Sequence, residues 1–234
     1  MSASISSIPL SSLLIILIPV IVVIWIQFRW SLNFKESIYA VARMLVQLMV
    51  IGYLLGYIFD AQRSWLVVLI VLIMVSVSSW IALRTIKQRR KQQYIYVFTA
   101  LILGGATTLI LVTQVVLDFT PWYKPQYMIP LAGMIFSNCI NSISLAAERY
   151  YEEIQRKEII MARNIAFKTA MIPATNSLFA VGLVALPGMM TGQILSGVDP
   201  LVAVRYQIMV MAMIYGSEGI SSAVYLSLIS RTKS

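Results

Sequence analysis

Seven apolar runs in succession, Leu10–Phe28, Ile38–Phe59, Trp65–Leu83, Tyr94–Leu117, Met128–Leu145, Met171–Leu186 and Tyr206–Ile229, constrain this chain more than any other feature. All but the sixth approach the roughly 20 residues that an α-helix needs to cross the hydrocarbon of a bilayer. Every backbone N–H and C=O in hydrocarbon needs an internal partner, so a spanning segment is a helix or a strand of a closed barrel. The runs lack the alternation of barrel strands. They predict an all-α integral membrane protein of about seven transmembrane helices, a single domain over residues 1–234 with no room for a second. Composition agrees, since 59% hydrophobic and 12% charged residues leave too little polar surface to cover a water-soluble core. The run from Leu10 to Phe28 exceeds the apolar region of a secretory signal and no charge precedes Arg29, so it reads as a retained first span.

Orientation follows from where the basic residues lie rather than from the net charge of +9. Arg29 and Lys35 fall in the first loop, and Arg84, Lys87, Arg89, Arg90 and Lys91 in the third. Arg149, Arg156, Lys157, Arg163 and Lys168 fall in the fifth loop, and Arg231 and Lys233 in the tail. These all lie on one side. The other side has only Arg63, Lys124 and, at its edge, Arg205, while Arg43 sits inside the second span. The excess of positive charge places the C-terminus in the cytoplasm and the N-terminus outside. Such a distribution suits membrane lipid and gives no reason to expect nucleic acid. Trp25, Trp30, Trp65, Trp80 and Trp122 fall at span ends or in flanking loops, where indoles favour the headgroup layer.

Polar residues inside spans cost free energy unless they face an interior or a water path. Glu218 lies near the middle of the seventh span, where a charge costs about 2.5–3.5 kcal/mol on insertion scales. It is a candidate for a translocation pathway; the plainer reading is a protonated carboxyl bonded to a neighbouring helix, with Gly216 and Gly219 favouring close packing. Asn138 and Asn141 share one face of the fifth span and serve either such a pathway or interhelical bonding. Gly104–Gly105, followed by two threonines, reads as a close helix-packing site rather than a nucleotide loop.

Between the last two runs lies LPGMMTGQILSGVDP, Leu186 to Pro200. Pro187 lacks an N–H, and Gly188, Gly192 and Gly197 permit turns that other residues resist. This predicts a broken helix over 186–200, of the kind that lines transport sites at membrane depth, or else an outer loop with one interfacial helix. Met189 and Met190 offer thioethers to a soft cation and Cys139 a thiolate, although methionine is mostly flexible packing and a lone membrane cysteine usually an inert hydrophobe. With no histidine in the chain, any metal chemistry must use oxygen or sulfur.

The segment from about 146 to 170, AERYYEEIQRKEIIMARNIAFK at its centre, mixes charge with apolar residues at helical spacing. It is expected to be helical. Two readings stand: a coupling helix that passes on motion from a cytoplasmic subunit, through Glu152, Glu153, Arg156, Lys157 and Arg163, or a solvated extension of the fifth span held by pairs such as Glu153–Lys157.

MIPLAGMIFSNCINSISLA (Met128–Ala146), MIPATNS (Met171–Ser177) and VGLVALPGMMTGQILSGVDPLVAVRYQIMVM (Val181–Met211), with AVARMLVQLMVIGYLLGYIF in the second span, resemble the FetB-type permeases of ABC transporters. The resemblance covers roughly residues 31–211. It implies a permease subunit in the plasma membrane, the inner membrane of a bacterium, exporting iron or another metal ion. It further implies a homodimer paired with a separate ABC-type ATPase that uses ATP-Mg, with no cofactor in this chain. No G-x-x-x-x-G-K-[ST] phosphate loop occurs here, so ATP hydrolysis is expected in the partner. One departure from the family pattern is a shorter cytoplasmic segment before Pro173, without the family's L-G-A-T-P-like turn. Two other classes remain open: a secondary transporter or cation channel using Glu218, and a non-transporting membrane scaffold.

Overall fold

The computed structural model describes residues 9–60, 63–86 and 90–231; Lys87, Arg89 and Lys233 of the charge count lie outside them. The chain divides into two compact units, Met1–Ala61 and Gln62–Ser234. Among the described residues there is no strand, only one isolated bridge between Val181 and Ala185.

The first unit holds α1 (Leu10–Ile15), α2 (Leu17–Arg29) and α3 (Phe34–Asp60). The expected first span is therefore interrupted at Ile16. The cause is Pro19, which has no N–H for the carbonyl of Ile15 and whose ring crowds it. Between α2 and α3 the chain reverses through Ser31, at φ 55°, while the Leu32 N–H donates to the carbonyl of Gln27 at 2.8 Å. Phe28 and Phe34 meet edge to face across this turn, with ring centroids 5.3 Å apart.

The second unit contains α4 (Ser64–Ala82), α5 (Arg90–Val116), α6 (Pro125–Glu153), α7 (Ile159–Ala180), α8 (Gly188–Leu195) and α9 (Pro200–Arg231). Among the described residues five helices, α3, α4, α5, α6 and α9, are long and apolar enough to cross a membrane. Their outward side chains include Ile73, Ile110, Val115 and Ile208, where a water-soluble helix would carry charge. In lipid, apolar burial supplies little drive for helices to associate, so close packing of small residues carries the fold. Helix α6 is the hub, packed by α4, α5, α7 and α9. Buried Ala162, Ala166, Ala170 and Ala174 form a stripe at four-residue spacing along α7, which lets that helix approach closely.

A close crossing lies between α5 and α9. A β-carbon on Gly104 would stand 2.3 Å from Ser221 Oγ and 2.6 Å from Ser221 N, and one on Gly105 would stand 2.8 Å from the Phe136 ring. The glycine pair is thus the packing site its sequence suggested. Gly216 and Gly219 are not: nothing lies within 4 Å of a β-carbon on the first, and only the Met171 side chain approaches the second, at 3.5 Å. Around Gly104 the helix widens into π turns, Leu101–Ala106 and Leu111–Val116. Hydroxyls re-satisfy the carbonyls there, Thr108 donating to Gly104 O at 2.6 Å and Thr113 to Leu109 O at 2.8 Å.

Helix ends find partners as well. The Ser144 hydroxyl donates to the carbonyl of Ala82, the last residue of α4, at 2.8 Å. Arg90 donates through Nε to the carbonyl of Trp80 at 2.9 Å and lies over its ring, 3.8 Å from the centroid.

Two boundaries of the last runs need correction. The sixth run was expected to stay helical to Leu186 but α7 stops at Ala180; Gly182 takes the left-handed φ of 84°, and the amides of Val184 and Ala185 both turn back to the carbonyl of Ala180 at 2.8 and 3.1 Å. The seventh helix starts at Pro200, not Tyr206. Asp199 caps it, its Oδ1 accepting from Leu201 N at 2.9 Å, and proline suits a first helical position whose N–H is not needed.

Candidate functional site

Helices α6, α7 and α9, with the turn after α7, line a half-open cavity of about 320 Å³. Its position follows from sequence. On α9, Met211, Ile214, Tyr215 and Glu218 recur at helical spacing and share a face that lines it; on α6 the lining residues are Asn138, Asn141 and Ser142. Helix α7 contributes Pro173, Ala174 and Ser177, and the turn contributes Val181, Ala185 and Pro187. Pro173 has no N–H for the carbonyl of Thr169, which loosens the ladder in mid-helix, and small alanines beside it leave the space unfilled.

Glu218 is 5% exposed, and no hydrogen bond or ion pair reaches it among the described residues. Three polar groups of the wall each turn a proton to their own helix. Asn138 Nδ2 donates to Met134 O at 2.8 Å, Ser142 Oγ to Cys139 O at 3.2 Å and Ser177 Oγ to Pro173 O at 3.0 Å. Their oxygens keep lone pairs toward the cavity, beside the amide of Asn141 and the hydroxyl of Tyr215, which can donate as well as accept. The wall is therefore one carboxyl side chain with a few amide and hydroxyl oxygens beside it in a mostly apolar lining.

Of the residues singled out by sequence, Glu218, Asn138, Asn141 and Pro187 come together here. Met190 lines a second, more apolar cavity of about 690 Å³ that shares Leu178, Val181, Met211 and Tyr215 with the first. Met189 packs against the core, and Gly188 and Gly192 lie on α8 with nothing within 4 Å of a β-carbon. Cys139 does not line the cavity but is fully buried in the contact between α6 and α9, its thiol donating to Ser221 Oγ at 3.6 Å. Among the described residues no group of three or more His, Cys, Asp or Glu converges to hold a metal. Sequence reasoning passed over Pro173, Ser177 and Tyr215. A signal was present, since Tyr215 precedes Glu218 by three on one helix face and MIPATNS already stood out as a motif.

The 146–170 segment is no separate loop. Helix α6 continues through it to Glu153, a short turn follows, and α7 starts at Ile159. Glu153, 8% exposed, accepts Arg149 at 2.6 Å and Lys157 at 2.8 Å, while its carbonyl takes the amides of Arg156 and Lys157 at 2.9 Å. Glu152 stands outward, paired with Arg149 at 2.8 Å; Arg156 is exposed and Arg163 half-buried. The Glu153–Lys157 pair forms and ties the turn to the end of α6, and the tip presents charge.

Comparison with known proteins places the sequence in a family. The sequence pattern of the family described as Uncharacterised protein family (UPF0014) matches residues 10–165 and 156–233. A UPF0014 membrane protein of Synechocystis sp. is 34% identical over 212 residues, covering 84% of this chain and 82% of that one. The probable iron export permease protein FetB of Escherichia coli is 32% identical, covering 91% and 87%. Protein ALUMINUM SENSITIVE 3 of Arabidopsis thaliana is 31% identical, covering 92% and 82%. The last two alignments run over 231 residues yet use only 91% and 92% of this 234-residue chain, so the relatives carry aligned residues that it lacks. The family pattern breaks into two pieces at 156–165, where the hairpin turns from α6 into α7. No solved structure matches. A pattern matched along nearly the whole chain and relatives above 30% identity make this multi-pass membrane protein a member of the UPF0014 family.

Proposed function

We propose that this chain is the membrane-spanning permease subunit of an ATP-driven ABC transporter that exports iron or another metal ion, with ATP-Mg hydrolysed by a separate ATPase. The observation that carries the reading is the cavity in which Glu218 meets Asn138 and Asn141 between α6, α7 and α9. The kinship with a protein named as a probable iron export permease supports the cargo class. In this reading the two units form one permease domain in which α1–α2 together make the first of seven spans and α7 the sixth, with the N-terminus outside and the C-terminus cytoplasmic. Two copies pair to complete the pathway. The α6–α7 hairpin receives the ATPase through Glu152, Arg156 and Arg163, and Glu153 with Lys157 keeps its tip rigid enough to transmit a push. Broken helices beside the cavity, α7–α8–α9, then re-aim to alternate access.

The test is co-reconstitution with the candidate ATPase in liposomes preloaded with different metals. ATP-dependent flux that Glu218→Gln abolishes without loss of membrane insertion supports the reading; wild-type flux by the variant removes Glu218 from the path. The unpaired state of Glu218 also favours a second reading, a secondary transporter or cation channel in which this carboxylate couples the flow. Proton-coupled flux without ATP would establish that alternative.

A further inference from the structure

We propose that the cavity takes its cation as an intact aqua complex, held through its water shell by Glu218 and the oxygens of Asn138, Asn141, Ser142 and Ser177, rather than as a bare ion in a ligand cage. The proposal rests on the cation cargo put forward above. Three observations lead to it.

The first is the ligand count. Dehydrating cages use four donors for zinc or six to eight oxygens for calcium, whereas cations that part reluctantly with water are held by one or two carboxylates and keep several waters. Here a single carboxylate faces the cavity, and no group of three or more His, Cys, Asp or Glu converges among the described residues. Cys139, the one thiol, is committed to Ser221. The second is size. An octahedral aqua ion carries roughly six waters, each taking ~30 Å³ in the liquid, and such a complex fits within about 320 Å³ where a bare ion would leave most of the space empty.

The third is polarity. Waters on a metal ion are strong donors, and the wall offers acceptor oxygens on Asn138, Asn141, Ser142 and Ser177, the two serines having turned their own protons to helix carbonyls. Glu218, 5% exposed and without a hydrogen-bond or ion-pair partner among the described residues, supplies the charge of this wall.

The experiment uses the full chain in lipid nanodiscs, with Mn²⁺ and cobalt(III) hexaammine as probes. The cobalt complex is inert to ligand exchange, so it binds only through its shell. The expected result is competition between the two at one site, with the full water complement retained on bound Mn²⁺ by pulsed electron–nuclear double resonance. Glu218→Gln should weaken both probes about tenfold or more, since hydrogen bonds to a charged group become bonds to a neutral one. Should that variant fail to fold, Asn141→Leu serves instead, because Asn141 is exposed on the cavity face, and it should weaken both probes several-fold. Mn²⁺ that has lost waters and ignores the cobalt complex overturns the aqua-complex proposal while leaving a cation permease standing. Absence of binding by either probe overturns it too, and metal flux in the liposome assay then decides the cargo reading separately.

Discussion

Replacing Gly104 by alanine tests the packing logic of the whole second unit. The added methyl would meet not a flexible chain end but the backbone of α9, at 2.6 Å from Ser221 N and 2.9 Å from Ser221 Cα. Carbon atoms reach their optimum separation near 3.5–4.0 Å, so α5 and α9 must part by roughly 1 Å over this crossing. That shift also loosens Gly105 from the Phe136 ring and Cys139 from Ser221. Overpacking of this kind costs about 1–3 kcal/mol, and the backbone contact argues for the upper part of that range. It outweighs the gain in helix propensity of up to ~1 kcal/mol that alanine brings over glycine. For a chain of this length each kcal/mol moves the midpoint by about 2–4 °C, so thermal unfolding of the purified protein in detergent should fall by roughly 4–8 °C. Gly216→Ala is the control, since nothing lies within 4 Å of its β-carbon; it should leave the midpoint unchanged or raise it. Trimming Ser221 to glycine removes the 2.3 Å hydroxyl contact but not the 2.6 Å amide contact, and should rescue Gly104→Ala only in part. A Gly104→Ala protein as stable as the parent would refute the close crossing.

Gly182→Ala should destabilise the turn after α7 by about 1–2 kcal/mol for conformational reasons alone, because φ is 84° while no atom lies within 4 Å of the added carbon; faster proteolysis between Val181 and Pro187 reports it. Cys139 should resist a maleimide in the folded protein and react after denaturation, since it is fully buried; rapid labelling in membranes would show that the α6–α9 contact opens. Glu153→Gln should speed hydrogen exchange at the amides of Arg156 and Lys157, as the Arg149 and Lys157 side chains lose the charge that pins the turn. Unchanged exchange there would place the rigidity of the hairpin elsewhere.

Sequence alone determined that this chain is a helical membrane protein. The reason is solvent: hydrocarbon permits only internally bonded backbone, so length and apolarity of a run suffice to name its structure. The same local reasoning found Gly104–Gly105 as a packing pair and the break near Pro187, because a missing side chain or a missing N–H acts wherever it stands. What it missed were the ends, Ala180 instead of Leu186 and Pro200 instead of Tyr206, which depend on a left-handed glycine and an aspartate cap rather than on hydropathy. Only tertiary structure decided which polar residues meet. Glu218 and Asn138 are 80 positions apart in the chain yet line one cavity, whereas Cys139, adjacent to Asn138 and turned about 100° round α6, is buried against Ser221 of α9. Helical periodicity tells which residues share a face, but the packing of α6 against α7 and α9 settles what that face looks upon.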